Sequence, residues 1–153
     1  MIKFLEIFRI AGVTAVIFFG YYFYADDAAA LLHFQAPWLV VFMAGLSVLE
    51  GLIFGKRSAE AKGYAGGNEY QLQTDLIFLA MGIMGAFLFY IDWGVKADLT
   101  LALIFMLMFL FSSLNHAYQA LFKGNRSRIN MMRPLLTLAM IAALIYPVIE
   151  AWK

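Results

Sequence analysis

Residues 98–122 read DLTLALIFMLMFLFSSLNHAYQALF, and between Leu99 and Phe111 a single polar side chain, Thr100, interrupts the apolar run. A helix rises about 1.5 Å per residue, so about 20 residues cross a hydrocarbon core of about 30 Å. The quoted stretch is long enough for that crossing. It therefore predicts a transmembrane helix with polar groups, Asn115 and His116, towards one end.

Four further segments are similarly long and apolar, and the five predicted spans are 4–24, 37–55, 70–92, 98–122 and 134–151. Of the 153 residues, 64% are hydrophobic and 14% are charged, against about 45–50% and about 25% in soluble domains. The short connections leave no room for a separate soluble module. The sequence therefore predicts one all-α domain, residues 1–153, built as an integral membrane bundle of five transmembrane helices.

Basic residues gather at one end of this bundle, and they predict its orientation. Lys and Arg close to the spans are retained in the cytoplasm. Nine of the eleven basic residues fall on one side: Lys3, Arg9, Lys56, Arg57, Lys62, Lys123, Arg126, Arg128 and Arg133. The other side receives Trp38, Trp93 and Trp152, and indole rings favour the headgroup layer. We expect the N-terminus in the cytoplasm and the C-terminus outside.

Small residues recur at four-residue spacing on three of the spans. The motifs are Ser47-Gly51-Gly55, Gly82-Ala86 and Ser113-Ala117. Helices in lipid associate through close approach and hydrogen bonds, so this spacing indicates helix interfaces. We expect the second, third and fourth spans to form the tightly packed centre.

Polar side chains inside the spans share one depth. Glu50, Asp75 and His116 each lie about five or six residues from the inner end of their span, roughly 7–9 Å beneath the cytoplasmic interface. Ionisable groups there cost at least a few kcal/mol unless they meet a partner or water. The same zone carries further hydrogen-bonding groups: Gln71, Gln73, Asn115, Gln119, Asn130 and Arg133. The outer half is expected to be apolar and aromatic, with His33 in the first outer loop.

Three interpretations of this polar layer are open. The first is interhelical bonding, with Glu50 paired to His116 or Arg133, at about 0.6–2 kcal/mol for each bond. The second is a proton or ion relay facing the cytoplasm, because carboxylate and histidine groups in membranes can titrate near physiological pH. The third is a metal site with Glu50, Asp75 and His116 as ligands, a set compatible with iron, manganese or zinc.

Other classes of function have no support in the sequence. The chain has no cysteine, which excludes disulfides and thiolate chemistry. No phosphate-binding glycine loop, nucleophile elbow or zinc-protease helix occurs, so no catalytic residue is predicted. No basic patch with interleaved aromatic residues suggests nucleic acid. No cofactor is predicted beyond the metal alternative. A cluster of basic side chains is a candidate for binding anionic lipid headgroups: Lys123, Arg126, Arg128 and Arg133.

Two segments carry a family resemblance. The first runs from Gly63-Tyr64 through Gly67-Asn68-Glu69-Tyr70-Gln71 to the glycine-spaced helix at 79–85, and the second is His116-Ala117-Tyr118-Gln119. Together they resemble a bacterial multi-pass membrane family, domain-of-unknown-function family 6790, over about two thirds of the chain.

The resemblance implies a bacterial protein with a five-span layout, and it draws attention to Gln71, His116, Tyr118 and Gln119 without implying a reaction. The chain departs from the family pattern where that family tends to have a proline and a following acidic residue, since Glu69 and Gln73 stand there. It also has Glu50 near the end of the second span, where the family pattern has a histidine.

These observations lead to a first functional expectation, a non-enzymatic multi-pass protein of the bacterial inner (cytoplasmic) membrane. It would act as an accessory or assembly partner of a larger complex or as a homo-oligomer, with membrane lipids and other membrane subunits as its partners. The alternative is a small proton or ion carrier or channel component that uses Glu50, Asp75 and His116. A third possibility is a metal-binding membrane enzyme at the same residues.

The orientation can be tested directly, because the chain has no cysteine that would have to be removed first. In right-side-out vesicles we expect Lys96→Cys to react with a membrane-impermeant maleimide, since it lies on the predicted outer side. Lys123→Cys should react only after the vesicles are permeabilised. The opposite pattern would place the N-terminus outside.

Overall fold

The computed structural model describes residues 2–61 and 69–153, with side chains over 4–60, 71–127 and 130–153. Its elements are α1 (Ile2–Tyr24), α2 (Ala28–Val40), a π-helical turn (Val41–Gly45), α3 (Leu46–Ala61), α4 (Glu69–Tyr90), α5 (Val95–Phe122) and α6 (Arg128–Trp152). Five helices in the described ranges are long and apolar enough to cross a membrane, because α2, the π-helical turn and α3 run on as one. The predicted all-α bundle of five spans is confirmed.

The second span begins at Ala28 and not at residue 37. Asp27 caps its N-terminus, where the carboxylate accepts hydrogen bonds from the backbone N–H groups of Ala29 and Ala30 at 3.1 and 3.0 Å. Such a cap satisfies donors that the start of a helix leaves open. Pro37 is consequently an interior residue of α2. His33 also lies in α2, so its predicted place in a loop is wrong.

The long second span changes course twice. The π-helical turn Val41–Gly45 follows shortly after Pro37, which has no N–H to donate within a helix. Further on, α3 is kinked at Gly55, whose backbone angles (φ 8°, ψ −91°) are not helical. The end of α3 is therefore turned away from the axis of its first three turns.

The remaining helix ends differ from the predicted spans by smaller amounts. The helix α5 begins at Val95, before residue 98, and α4 ends at Tyr90, before residue 92. The helix α6 begins at Arg128 rather than at residue 134, because Ser127 caps it and accepts a hydrogen bond from the Asn130 N–H at 3.3 Å. Its first turns, residues 128–133, contain Arg128, Asn130 and Arg133, so a search for apolar runs does not include them.

The helix α2 lies at the centre of the bundle, in contact with α1, α4, α5 and α6. Its buried side chains include Leu32, Ala36 and Leu39, which pack in one core with Phe105 of α5 and Leu144 of α6. The helix α5 packs most extensively against α6 and touches α4 little. The predicted packing of the second span against the third and the fourth is therefore found, but the third and fourth spans hardly touch each other, and the fourth packs most extensively against the fifth.

Glycines join the second and third spans at close range, and of those involved Gly82 belongs to a predicted small-residue motif whereas Gly45 and Gly85 do not. A β-carbon added at Gly82 would lie 3.5 Å from the Gly45 Cα, and one added at Gly85 would lie 3.0 Å from the carbonyl oxygen of Pro37. Helix backbones can approach this closely only where side chains are absent. These contacts hold α4 against α2 and the π-helical turn.

We expect Gly85→Ala to destabilise the bundle by about 1–3 kcal/mol, the usual cost of overpacking, because the new methyl group would press on the backbone of α2. Gly45→Ala is the matched control, since a β-carbon there would meet nothing within 4 Å. The measurement is the thermal unfolding midpoint in detergent micelles. Equal midpoints for the two variants would contradict the close contact at Gly85.

Candidate functional site

A cavity of about 650 Å³ lies within the bundle, walled by α1, α3, α4, α5 and α6. Along α1 it extends from Glu6 to Ile17, about 16 Å along the helix axis. Ionisable and amide side chains line the part nearer the predicted inner end: Glu6, Arg9, Asp75, Asn115, His116 and Arg133. Apolar side chains close the part nearer the middle of the spans: Ile17, Met43, Phe78, Phe109 and Met140.

Arg9 of α1 holds one wall of this cavity. It is 5% exposed, and its Nη2 donates to Oε2 of Glu50 on α3 at 2.8 Å while its Nη1 donates to Oε2 of Glu6 at 2.5 Å. Glu50 is 1% exposed, and its other carboxylate oxygen accepts a hydrogen bond from Ser58 Oγ. Buried charges require this kind of pairing. The group therefore ties α1 to both ends of α3.

The bond between Ser58 and Glu50 depends on the kink in α3. Eight residues separate the two, and in a straight helix that spacing corresponds to about 12 Å. The non-helical angles at Gly55 turn the last residues of α3 back towards the first part of the helix. The kink thus brings a further hydrogen-bond donor to a carboxylate inside the membrane span.

His116 of α5 stands in another wall of the cavity and is 7% exposed. Its Nε2 lies 3.0 Å from Nη1 of Arg133, and its Nδ1 is bonded to Oδ1 of Asn130. A guanidinium can only donate, so Nε2 accepts, and the ring is neutral with its proton on Nδ1. The amide orientation agrees, because Nδ2 of Asn130 donates to the carbonyl of Asn125 at 2.9 Å.

Asp75 of α4 also lines the cavity and is 8% exposed. Its carboxylate packs directly onto the backbone of Gly51, where an added β-carbon would overlap the carboxylate. Glycine at position 51 therefore makes room for an acidic group between α3 and α4. The small-residue motif of the second span supports a charged site as well as a helix contact.

The predicted polar layer takes the form of a cavity wall. Asp75 and His116 line the cavity directly, and Glu50 stands behind Arg9 and Ser58, which line it. Among the His, Asp and Glu side chains of the described residues, the three that come within ligand distance of one another are His33, Asp92 and Asp98, at the other end of the bundle. Asp75 and His116 are thus joined by the cavity that both of them line, and Glu50 is connected to it through Arg9 and Ser58.

Of the other predicted site residues, two line the cavity and three do not. Gln71 and Asn115 line the cavity. Gln73 is exposed, and Tyr118 is 48% exposed with the Lys123 ammonium 5.9 Å from its ring centroid. Gln119, the last of the set, contributes its backbone carbonyl to the end of α5, where the Lys123 N–H donates to it.

The predicted headgroup cluster is also divided. Lys123 and Arg126 are exposed at the end of the bundle, as lipid contact requires. Arg133 is half-buried and faces His116 across the cavity wall. The side chain of Arg128 lies outside the described residues, as do the Gly63-Tyr64 pair and the Gly67-Asn68 pair of the family resemblance.

Arg9 is the main residue that sequence reasoning missed at this site, because its charge was already explained by topology. A signal was present, since Arg9 lies inside the apolar run 4–24, and an arginine within a span is as informative as a carboxylate. Ser58 carried no comparable signal. Its role depends on a kink that no residue pattern predicted.

The outer half of the bundle contains polar groups as well, so the expectation that it is apolar is wrong. Nδ1 of His33 lies 2.9 Å from Oδ2 of Asp98, which is 2% exposed. Gln35 is fully buried, and its Nε2 donates to the carbonyl of Ile17 at 3.4 Å. These residues were assigned to loops or helix ends because the predicted spans were too short.

The fold and the cavity together define the class of protein, a multi-pass α-helical membrane protein with a polar internal cavity. Comparison with protein-family models, curated proteins and solved structures gave no match. The resemblance to family 6790, the bacterial origin and the inner-membrane location therefore stay predictions.

Removing Glu50 leaves the buried Arg9 guanidinium without one of its two carboxylates. We expect Glu50→Ala to lower the free energy of unfolding by about 3–5 kcal/mol, as breaking a buried ion pair usually does. The control is Glu60→Ala, an exposed carboxylate on the same helix, with a change of about 0.5 kcal/mol or less. Thermal unfolding in detergent measures both, and equally small effects would contradict a stabilising pair.

Proposed function

We propose that this protein is a small proton carrier, or the proton-binding component of an ion carrier, and that protons bind at Asp75 and His116. The observation that carries the proposal is one cavity of about 650 Å³ with both a carboxylate and an imidazole in its wall. Ionisable groups within membrane spans typically belong to ion or proton pathways. The interhelical-bonding interpretation gives no reason for a cavity of this size.

The cavity has room for a water chain. A water molecule takes up about 30 Å³ of liquid volume, so 650 Å³ corresponds to about 20 molecules. Polar side chains can hold such water by hydrogen bonds. Water in this cavity would connect Asp75 with His116.

The hydrogen bonds of His116 suggest how proton binding changes the protein. Nε2 must give up the hydrogen bond from Arg133 before it can accept a proton, because a protonated ring nitrogen and a guanidinium N–H are both donors. Proton uptake at His116 would therefore release Arg133 from that nitrogen. This movement would couple protonation to a change in the cavity wall on α6.

The apolar end of the cavity makes it a one-sided site in this conformation. Ile17, Phe78 and Phe109 stand between the polar wall and the core. Transfer to the other side would need these side chains to separate. The π-helical turn Val41–Gly45 lies beside them in the second span, and turns of this kind are frequent at functional sites.

The test is proton flux in liposomes that contain the purified protein and a pH-sensitive dye, with a membrane potential applied. We expect flux above that of empty liposomes, reduced about a hundredfold or more by Asp75→Asn and by His116→Gln, because a positioned proton-transfer group typically contributes about 10²–10⁴-fold. Glu60→Gln and Gln73→Glu are the controls, since both residues are exposed and outside the cavity wall. Flux equal to that of empty liposomes, or unchanged in both cavity variants, would contradict the proposal.

The accessory or assembly role stays the rival prediction. In that role the protein acts through its outer surface, which would contact a second copy of the chain or another subunit. Finding a solitary monomer both in mild detergent and in native membranes would count against it. That result would leave the carrier proposal intact, because the cavity is formed within one chain.

A further inference from the structure

We propose that His33, Asp92 and Asp98 form a binding site for a divalent metal ion at the end of the bundle opposite the cavity. The site takes a divalent ion that accepts both nitrogen and oxygen ligands, of which Zn²⁺ and Mn²⁺ are examples. The proposal does not rest on the proposed carrier function. It concerns different residues, at the opposite end of the bundle.

The geometry suits one ion. One ligand atom from each of the three side chains lies within 4.8 Å of the others. Ligands at about 2.0–2.2 Å from a common zinc ion are necessarily within about 4.5 Å of one another. The Nδ1 of His33 and Oδ2 of Asp98, 2.9 Å apart, are already close to the separation of neighbouring ligands.

Three separate segments bring these ligands together. His33 lies in the second turn of α2, Asp98 in the first turn of α5, and Asp92 in the connection between α4 and α5. The His33 ring stacks on Phe89 with 5.9 Å between centroids and 13° between planes, which fixes its direction. The site is therefore built by the tertiary packing of α2 between α4 and α5.

The connection between α4 and α5 positions Asp92. Its Oδ1 accepts a hydrogen bond from the Gly94 N–H at 2.8 Å, and Gly94 has φ 85°, a conformation that favours glycine. This bond holds the Asp92 carboxylate in place, and the carboxylate can still bind a metal ion because its two oxygens together offer about four acceptor sites. Asp92 is exposed, so the ion could enter from solvent without disturbing the bundle.

The charges at this site favour a cation. Two carboxylates face one imidazole, and within the described residues the ion-pair partner of Asp98 is His33. A carboxylate that is 2% exposed is costly unless it is paired or bound to a metal. A divalent ion would neutralise both acidic groups at once. His33 at 31% side-chain exposure leaves room for a water ligand.

The ligand types select the class of ion. One imidazole and two carboxylates suit zinc, manganese and similar ions, whereas sulfur ligands that would favour Cu(I) are absent from the set. Calcium usually takes six to eight oxygen ligands, which is more than this trio supplies. Three protein ligands with an open position are also the arrangement of reactive zinc sites.

The experiment is calorimetric titration of the full-length protein, purified with a histidine-free tag, with Zn²⁺ and separately with Mn²⁺. We expect about one equivalent to bind and to raise the thermal unfolding midpoint, because an ion that binds the folded state stabilises it. His33→Gln and Asp92→Asn should each weaken binding roughly tenfold or more, since even loss of a group supporting a ligand costs that much. Both changes retain hydrogen-bonding atoms, so the fold should persist.

Asp26→Asn is the matched control, because Asp26 is an exposed acid at the same end of the bundle and outside the trio. It should leave both the affinity and the shift in midpoint unchanged. Zinc binding that survives in His33→Gln and Asp92→Asn would overturn the proposal as adventitious. Absence of binding by the unaltered protein at micromolar concentrations of either ion would overturn it as well.

Discussion

The ion pair between Arg9 and Glu50 is the interaction on which the inner half of the bundle depends. Neither charge is tolerable alone in hydrocarbon, so α1 must lie beside α3 at the height where the two side chains meet. Glu6 and Ser58 complete the group from a neighbouring turn of α1 and from the far side of the Gly55 kink. The need to pair these charges thus fixes the register of α1 against α3. The bend in α3 contributes to the same group, because it brings Ser58 to Glu50.

The cavity follows from the way these helices are held apart. At Gly82 and Gly85 the backbone of α4 lies close to the second span, because neither residue has a side chain. Core packing joins α2 with α5 and α6. Between these interfaces the facing groups are charged or amide side chains, which bind water better than they pack. The space next to Asp75 and His116 is therefore polar at one end and closed by apolar side chains at the other.

The molecule keeps two kinds of polar chemistry at opposite ends of α5. His116 and its partner Asn130 stand at the end with the basic loops, and the Asp98–His33 pair stands at the other end. The fully buried Phe105 and Leu144 lie between them. Asp98 and His116 are 18 residues apart on α5, which corresponds to about 27 Å, and at an effective dielectric constant of about 20 two charges this far apart interact by less than about 1 kcal/mol.

Much of the fold was predictable because a membrane imposes a length and an apolar character that can be read along the chain. The five spans, the close approach of Gly82 to the second span and the grouping of Asp75 with His116 were all predicted from such local patterns. The predicted helix ends differ more from those of the structure. Side-chain caps at Asp27 and Ser127 decide where α2 and α6 begin, and a search for apolar runs does not detect a cap.

The sequence by itself determined that this chain is an α-helical multi-pass protein and that Glu50, Asp75 and His116 lie inside its spans. Tertiary structure alone decided their partners: Arg9 for Glu50, Arg133 for His116 and Asp98 for His33. The physical reason is that hydrophobicity acts residue by residue, whereas a hydrogen bond or ion pair requires two atoms from distant parts of the chain within about 3 Å. Only the packed bundle sets that distance.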